Sequence, residues 1–262
     1  LSIALIVPTR SRPGNVRRLL ESVFETADKC SNVSVYLGVD DDDPFREEID
    51  REAAVFAFFV NIVEIHSEGK FQGVGKLWNL CAKEAPDNIL GLIGDDVVFR
   101  TKGWDTKVLA EYAPDRCPAD NFKLVYGDDG GMHEKISTHP FIHRRYIDIT
   151  GHYVREEFVT DYIDLWLYQM YFYFNRVTYL PDLVTEHMHP AWGKGEVDWT
   201  MIRMQQANRE SPCKYSWAEM EPLRVKEAFL IASVIGVQPD FSRIVPFVIE
   251  RGWVKQKKGV VV

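Results

Sequence analysis

The chain has 262 residues, 46% hydrophobic and 27% charged, with a formal net charge of −8. These values fit an ordinary globular protein with a sizeable core, either one large α/β domain or a domain with a C-terminal extension, and argue against a surface that coats nucleic acid. No apolar run approaches membrane-spanning length, and the N-terminal run ends at Pro8, too short for a signal peptide. Cys30, Cys81, Cys117 and Cys213 are scattered without a CxxC pair, so reduced thiols in a cytoplasmic setting are expected.

Taken in order, Ile3 to Val7 reads as a strand buried on both faces, closed by the polar loop Pro8 to Gly14. Val16, Leu19, Leu20, Val23 and Phe24 then share one helical face. Val33 to Val39 is the next strand; Asp40 sits directly at its end, and Asp43-Pro44 reads as an N-cap with the first helical residue. A short strand follows at Asn61 to Ile65, then the loop Ser67 to Lys70. Val74, Leu77, Trp78, Cys81, Ala82 and Ala85 trace a helical stripe that Pro86-Asp87 ends. Strand and helix thus alternate over the first hundred residues, the pattern of a parallel sheet covered on both faces.

The stretch from Leu90 to Phe99 is the most informative. Apolar residues run into Gly94, then into the adjacent carboxylates Asp95 and Asp96, which would sit at the C-terminal end of a buried strand, where open α/β sheets place their ligands. Two neighbouring carboxylates repel, and a divalent cation holding phosphate oxygens is a common compensation; a turn or helix cap is the plainer alternative. Beyond Phe99 the alternation loosens. Strands are expected at Lys123 to Gly127, Pro140 to Arg145 and Val177 to Pro181, and a buried aromatic helix within Glu157 to Phe174. From about Asp198 helices are expected to pack on the main domain, with a frayed tail at Lys255 to Lys258.

In this order the motifs resemble the family 2 glycosyltransferases with the GT-A fold. Ile6-Val7-Pro8-Thr9-Arg10 looks like that family's opening, Val39-Asp40-Asp41 like its base-recognising second strand, and Gly73 to Asn79 like its "GxxxAxN" helix start. Ile93 to Val97 looks like its DxD motif, Thr160 to Leu165 like the "EDxDL" segment that supplies the base, and His187 and His189 like its metal-binding histidine. The match covers roughly residues 3 to 195. Gly94 replaces the first Asp of DxD, and Thr160 replaces the Glu of the ED pair.

The resemblance implies a mostly parallel, Rossmann-like central sheet in a domain over residues 1–197, with a helical extension over 198–262. It implies a metal-dependent, inverting glycosyltransferase that uses a nucleotide-diphosphate sugar, UDP-linked by preference, and an unidentified acceptor (glycan, lipid, protein or modified nucleic acid). Asp96 with one of His187 and His189, His189 being preferred, would hold Mn²⁺ or Mg²⁺. Asp161 would be the general base, with Asp164 a second acid or a structural acceptor. Pro8, Thr9, Arg10, Asp40, Lys76 and Asp95 would contact the nucleotide. Asp128 and Asp129 read as turn residues, His133, His139 and His143 as surface or core histidines, and Trp192 and Trp199 as stacking or packing residues. Nucleotidyl transfer is the competing enzymatic reading, although the loop after the first strand carries only one glycine. A non-catalytic nucleotide-sugar or glycan-binding module is the non-enzymatic one.

Overall fold

The structure is a computed structural model that describes residues 1–67, 73–210 and 217–252. Residues 68 to 70 of the loop after Ser67, Cys213 and the Lys255 to Lys258 tail lie outside the described residues. Helices flank one mostly parallel sheet of eight strands in the order β3-β2-β1-β4-β7-β6-β8-β5.

The first half follows the apolar pattern. β1 (Ile3–Thr9), β2 (Val33–Asp40), β3 (Val60–Ile65) and β4 (Ile89–Leu92) are parallel neighbours, linked by α1 (Pro13–Thr26), α2 (Arg46–Ala54) and α3 (Val74–Glu84). β1, β2 and β4 are almost wholly buried, as expected of parallel strands with helices on both faces. α1 buries Val16, Leu19, Leu20 and Val23, but Phe24 lies on its exposed side against Phe58. α2 starts at Arg46 behind Phe45, so Asp43 is not its cap. Asp43 instead accepts from Ser11 N (2.8 Å) and Phe45 N (2.9 Å), tying the loop after β1 to the loop after β2.

The second half is where the alternation breaks. β5 (Val97–Phe99) is a separate strand rather than a continuation of β4. After α4 (Trp104–Ala110), β6 (Leu124–Asp128) and β7 (Phe141–His143) form an antiparallel pair, and β7 joins β4. α5 (Arg145–Thr150) and α6 (Ile163–Phe172) follow, α6 being buried on nearly every side. β8 (Val177–His187) runs well past Pro181, parallel to β6 and antiparallel to β5. Its register sets Val97 opposite His187, which brings the end of β8 beside Asp96.

α7 (Trp199–Glu210), α8 (Glu221–Ile235) and α9 (Pro246–Glu250) complete the described chain. Among the described residues no helix is long and apolar enough to cross a membrane. α8 is fixed by one buried charge. Glu227, 2% exposed, accepts from Trp166 Nε1 at 2.9 Å and also from Tyr146 Oη and Arg155, with His152 3.4 Å away. Burial pushes the Glu227 carboxyl up, but His152, Arg155 and Tyr146 outweigh it and hold it below the usual range. A carboxylate lowered by folding adds stability above its unfolded pKa, and that stability is lost as pH falls through the folded value. Removing one partner of such a pair strands the other charge in the core. Glu227→Gln should therefore cost about 3–5 kcal/mol at pH 7 in urea titrations, with a smaller gap from wild type near pH 3; equal stability at pH 7 would exclude this lock.

Candidate active site

A cleft of about 650 Å³ opens at the C-terminal ends of β1, β2 and β4. Its walls come from Pro8 and Thr9 at the end of β1 and Arg10 just after it, Asp40 at the end of β2, and Asp95 and Asp96 after β4. Asp161 and Asp164 enter it from the start of α6, and His187 and His189 from the end of β8. The structure therefore brings together every expected site residue except Lys76. Lys76 lies on another face of α3, along a groove with Tyr36, Asn61 and Glu64, because it is Val74, Leu77 and Trp78 that α3 turns towards the cleft.

Asp95 anchors the floor. It is 4% exposed and accepts from Thr9 Oγ1 at 2.7 Å and from Arg12 at 2.9 Å. Burial pushes its carboxyl up against the pull of Arg12, and the adjacent Asp96 adds to the rise. Arg12 also forks onto Asp198, with contacts of 2.5 and 2.8 Å, and Asp198 accepts from Met201 N at 2.8 Å, inside the first turn of α7. α7 is thereby clamped over the cleft, where Thr200, Met201, Arg203 and Met204 form part of the wall. At the neighbouring strand end, Arg10 donates to Asp40 at 2.6 Å and to Asp42 at 2.5 Å. Burial nevertheless keeps the Asp40 carboxyl above its ordinary value.

Asp96 differs from Asp95. Burial acts to raise it, but His187, whose Nε2 lies 3.4 Å from Asp96 Oδ2, and Arg12 hold it well below the usual range. Burial lowers the His187 imidazole, and Asp96 more than restores it. It is thus His187, not the preferred His189, that meets Asp96. His189 Nδ1 accepts from Ala191 N (3.1 Å) and starts the short turn Pro190–Trp192. β8 ends at His187, and the His187 and His189 rings lie 5.1 Å apart. His139 lines the same cleft, 5.0 Å from the His187 ring, with Nδ1 donating to Thr185 O at 3.2 Å. Among the described residues no group of three or more His, Cys, Asp and Glu side chains is arranged to hold a metal. The pair Asp96 and His187 offers an oxygen and a nitrogen donor, which suits a Mn²⁺ or Mg²⁺ ion that takes its remaining ligands from water and phosphate.

The segment before α6 is held by α3. Asn79 Oδ1 accepts from Tyr153 N and Val154 N, its Nδ2 donates to Val154 O, and Val74 N donates to Val159 O. Asp161 is exposed in the cleft and does not cap α6, whose N-cap position is Tyr162 in a left-handed conformation (φ 70°). Asp164 is the carboxylate in the first turn. Burial pushes it up to about 6, although the Leu165 N–H and His187 act to lower it. The reading of Asp128 and Asp129 as turn residues agrees with the structure, since Asp129 accepts from Gly131, Met132 and His133 N–H groups and Asp128 from Gly130 N. Arg12, Asp198 and Arg203 were not among the expected site residues, and His139, expected as a surface or core histidine, is buried and lines the cleft. Arg12 carried a signal, as the second arginine of the loop after β1.

No family model matches the chain, and no curated protein matches it in sequence. Solved structures do. The mannosyltransferase PcManGT from Pyrobaculum calidifontis, in complex with GDP-Man and Mn²⁺, superposes with a TM-score of 0.57 at 13% identity, covering 95% of this chain and 79% of that one. S. aureus TarS 1-349 in complex with UDP gives 0.56 at 14% identity over 100% of this chain and 94% of that one. Its complex with UDP-GlcNAc gives 0.54 at 13% identity, over 98% and 77%. This chain spans 43% of the longer TarS chain. With the strand order, the strand-end cleft and these superpositions together, the chain has a GT-A-like glycosyltransferase fold.

Proposed function

We propose that the protein is a metal-dependent, inverting glycosyltransferase that moves a sugar from a nucleotide-diphosphate donor, UDP- or GDP-linked, to an acceptor hydroxyl in a cytoplasmic setting. The observation that carries this reading is the convergence of Asp40, Asp95, Asp96, His187, Asp161 and Asp164 on one cleft at the strand ends. The complexes of the structural neighbours with GDP-Man, UDP and UDP-GlcNAc support the donor class. The free thiols Cys81 and Cys117 suit a reducing compartment.

On this reading the base of the nucleotide lies against Pro8, Thr9 and Asp40, with Arg10 fixing the Asp40 carboxylate. Arg12 and Arg203 face the diphosphate. Asp96 and His187 would hold the cation, which when bound would stabilise the charge developing on the leaving diphosphate. Asp161, at the open side of the cleft, takes the proton from the acceptor hydroxyl; Asp164 lies deeper, half-buried beside the cation ligands. Nucleotidyl transfer gains no support, because the loop after β1 ties its arginines to Asp40, Asp95 and Asp198 rather than wrapping glycines around a triphosphate.

Asp96→Ala should abolish the Mn²⁺-dependent part of UDP or GDP binding in calorimetry while the protein still folds and melts in one cooperative transition. Affinity unchanged with and without Mn²⁺ would count against the cation site.

Asp161→Asn should leave donor binding intact and lower transfer by about 10²- to 10⁴-fold, the usual worth of a positioned base. Asp164→Asn serves as the contrast and has its own signature. A carboxyl raised to about 6 by burial costs nothing below its unfolded pKa, costs progressively more as pH rises towards the folded value, and costs the full amount above it. The variant should melt a few degrees above wild type at pH 8 and match it near pH 3.5. If Asp164→Asn abolishes transfer and Asp161→Asn does not, the two roles are exchanged.

A further inference from the structure

Trp192 lies outside the donor cleft, yet its setting is unusual. A Cβ built on Gly131 would meet three atoms of the indole at once: Cε2, Nε1 at 2.6 Å and Cδ2 at 2.7 Å. Contact with several ring atoms at similar distances means that the face of the indole, not its edge, rests on the Gly131 peptide. Only glycine permits that approach. Trp192 is nevertheless 38% exposed as a residue, so the indole packs on Gly131 without being buried.

Two segments that enter the cleft hold this ring in place. Trp192 N donates to His189 O at 3.0 Å within the turn that His189 begins, and His189 lines the cleft. The loop carrying Gly131 is braced by Asp129 and leads to Ile136, Thr138 and His139, which line the cleft from the other side. Beside the indole runs a row of charged groups: Lys194 contacts Gly130 O at 3.2 Å and Glu186 at 2.8 Å, and Glu186 is met by Arg100 at 2.7 Å.

We propose that Trp192 is the platform of an acceptor subsite for a carbohydrate ring. The assignment rests on the glycosyltransferase reading and adds the class of acceptor to it. A sugar ring has an apolar face of C–H bonds and a rim of hydroxyls. The first matches a flat, rigid indole, and the second matches the donors and acceptors of Lys194, Glu186 and Arg100. A lipid chain would need a continuous apolar groove, whereas a single indole bordered by charges offers area for one ring.

The test uses the whole chain on an array of defined oligosaccharides of glucose, mannose, galactose and N-acetylglucosamine, with UDP and GDP titrated separately in Mn²⁺. Trp192→Ala should weaken the best-bound oligosaccharide by about tenfold or more, while Trp192→Phe keeps most of the affinity. Nucleotide binding should be unchanged in both. Phe58→Ala, which removes an exposed aromatic on the α2–β3 connection, should bind the array like wild type. A wild-type protein that binds nucleotide but no oligosaccharide overturns the subsite and leaves the donor reading standing, as does a Trp192→Ala variant that binds sugars undiminished. Failure of wild type to bind either nucleotide counts against the donor reading instead, and Trp192-dependent sugar binding would still support the platform.

Discussion

The structure turns on the burial of Asp95. A carboxylate taken out of water at the end of a central strand is costly unless hydrogen-bonded and paired. Here the compensation comes from Thr9, on the neighbouring strand, and from Arg12, one loop further on. That requirement fixes the conformation of the β1–α1 loop. Arg12 has donors left over, and they reach Asp198 at the head of α7. One buried charge thus dictates the floor of the cleft, its rim and the helix that covers it. It also gives the two adjacent carboxylates different environments, with Asp95 bound into the protein and Asp96 turned to His187.

The two halves of the sheet do different jobs. In the parallel half β1, β2 and β4 are buried on both faces, and β1, β2 and the β4 end carry short side chains at set positions. The antiparallel half supplies partners to those positions from far away in sequence. β5 pairs with β8 and delivers His187 to Asp96 across ninety-odd residues, while Asn79 on α3 holds the approach to Asp161. A cleft assembled this way combines a stiff floor with walls made of loops, where chemistry can vary without disturbing the core.

The same division explains what could be read from the sequence. β1, α1, β2, α3 and β4 were legible because local periodicity carries them, and Asp40, Asp95 and Asp96 because a strand end is a local feature. β5 was hidden because three residues give no period, and β8 was cut short because Pro181 interrupts a strand that tolerates it. Which histidine lies beside Asp96 was not legible either, because it depends on where β8 stops, which pairing with β5 decides. Asp43 looked like a cap by composition and instead serves a loop-to-loop bond that no local pattern encodes. Lys76 was drawn in by its place in a motif, although its position on the helix turns it to the other side.

The charge balance of the cleft shows why these parts belong together. Among the described residues, its walls carry five carboxylates, Asp40, Asp95, Asp96, Asp161 and Asp164, against the three guanidiniums of Arg10, Arg12 and Arg203. Arg10 and Arg12 are already engaged by Asp40, Asp42, Asp95 and Asp198. A diphosphate entering this space adds more negative charge to a region where the protein's own acids are in surplus. Low dielectric magnifies that repulsion. Burial raises the Asp164 carboxyl to about 6, which opposes its ionisation, and Asp96 raises the basicity of the imidazole beside it. On the proposed reading Asp96 and a neutral His187 would hold a divalent cation, whose charge would offset the surplus. The acidity that would repel the donor alone then becomes the means of binding donor and cation together.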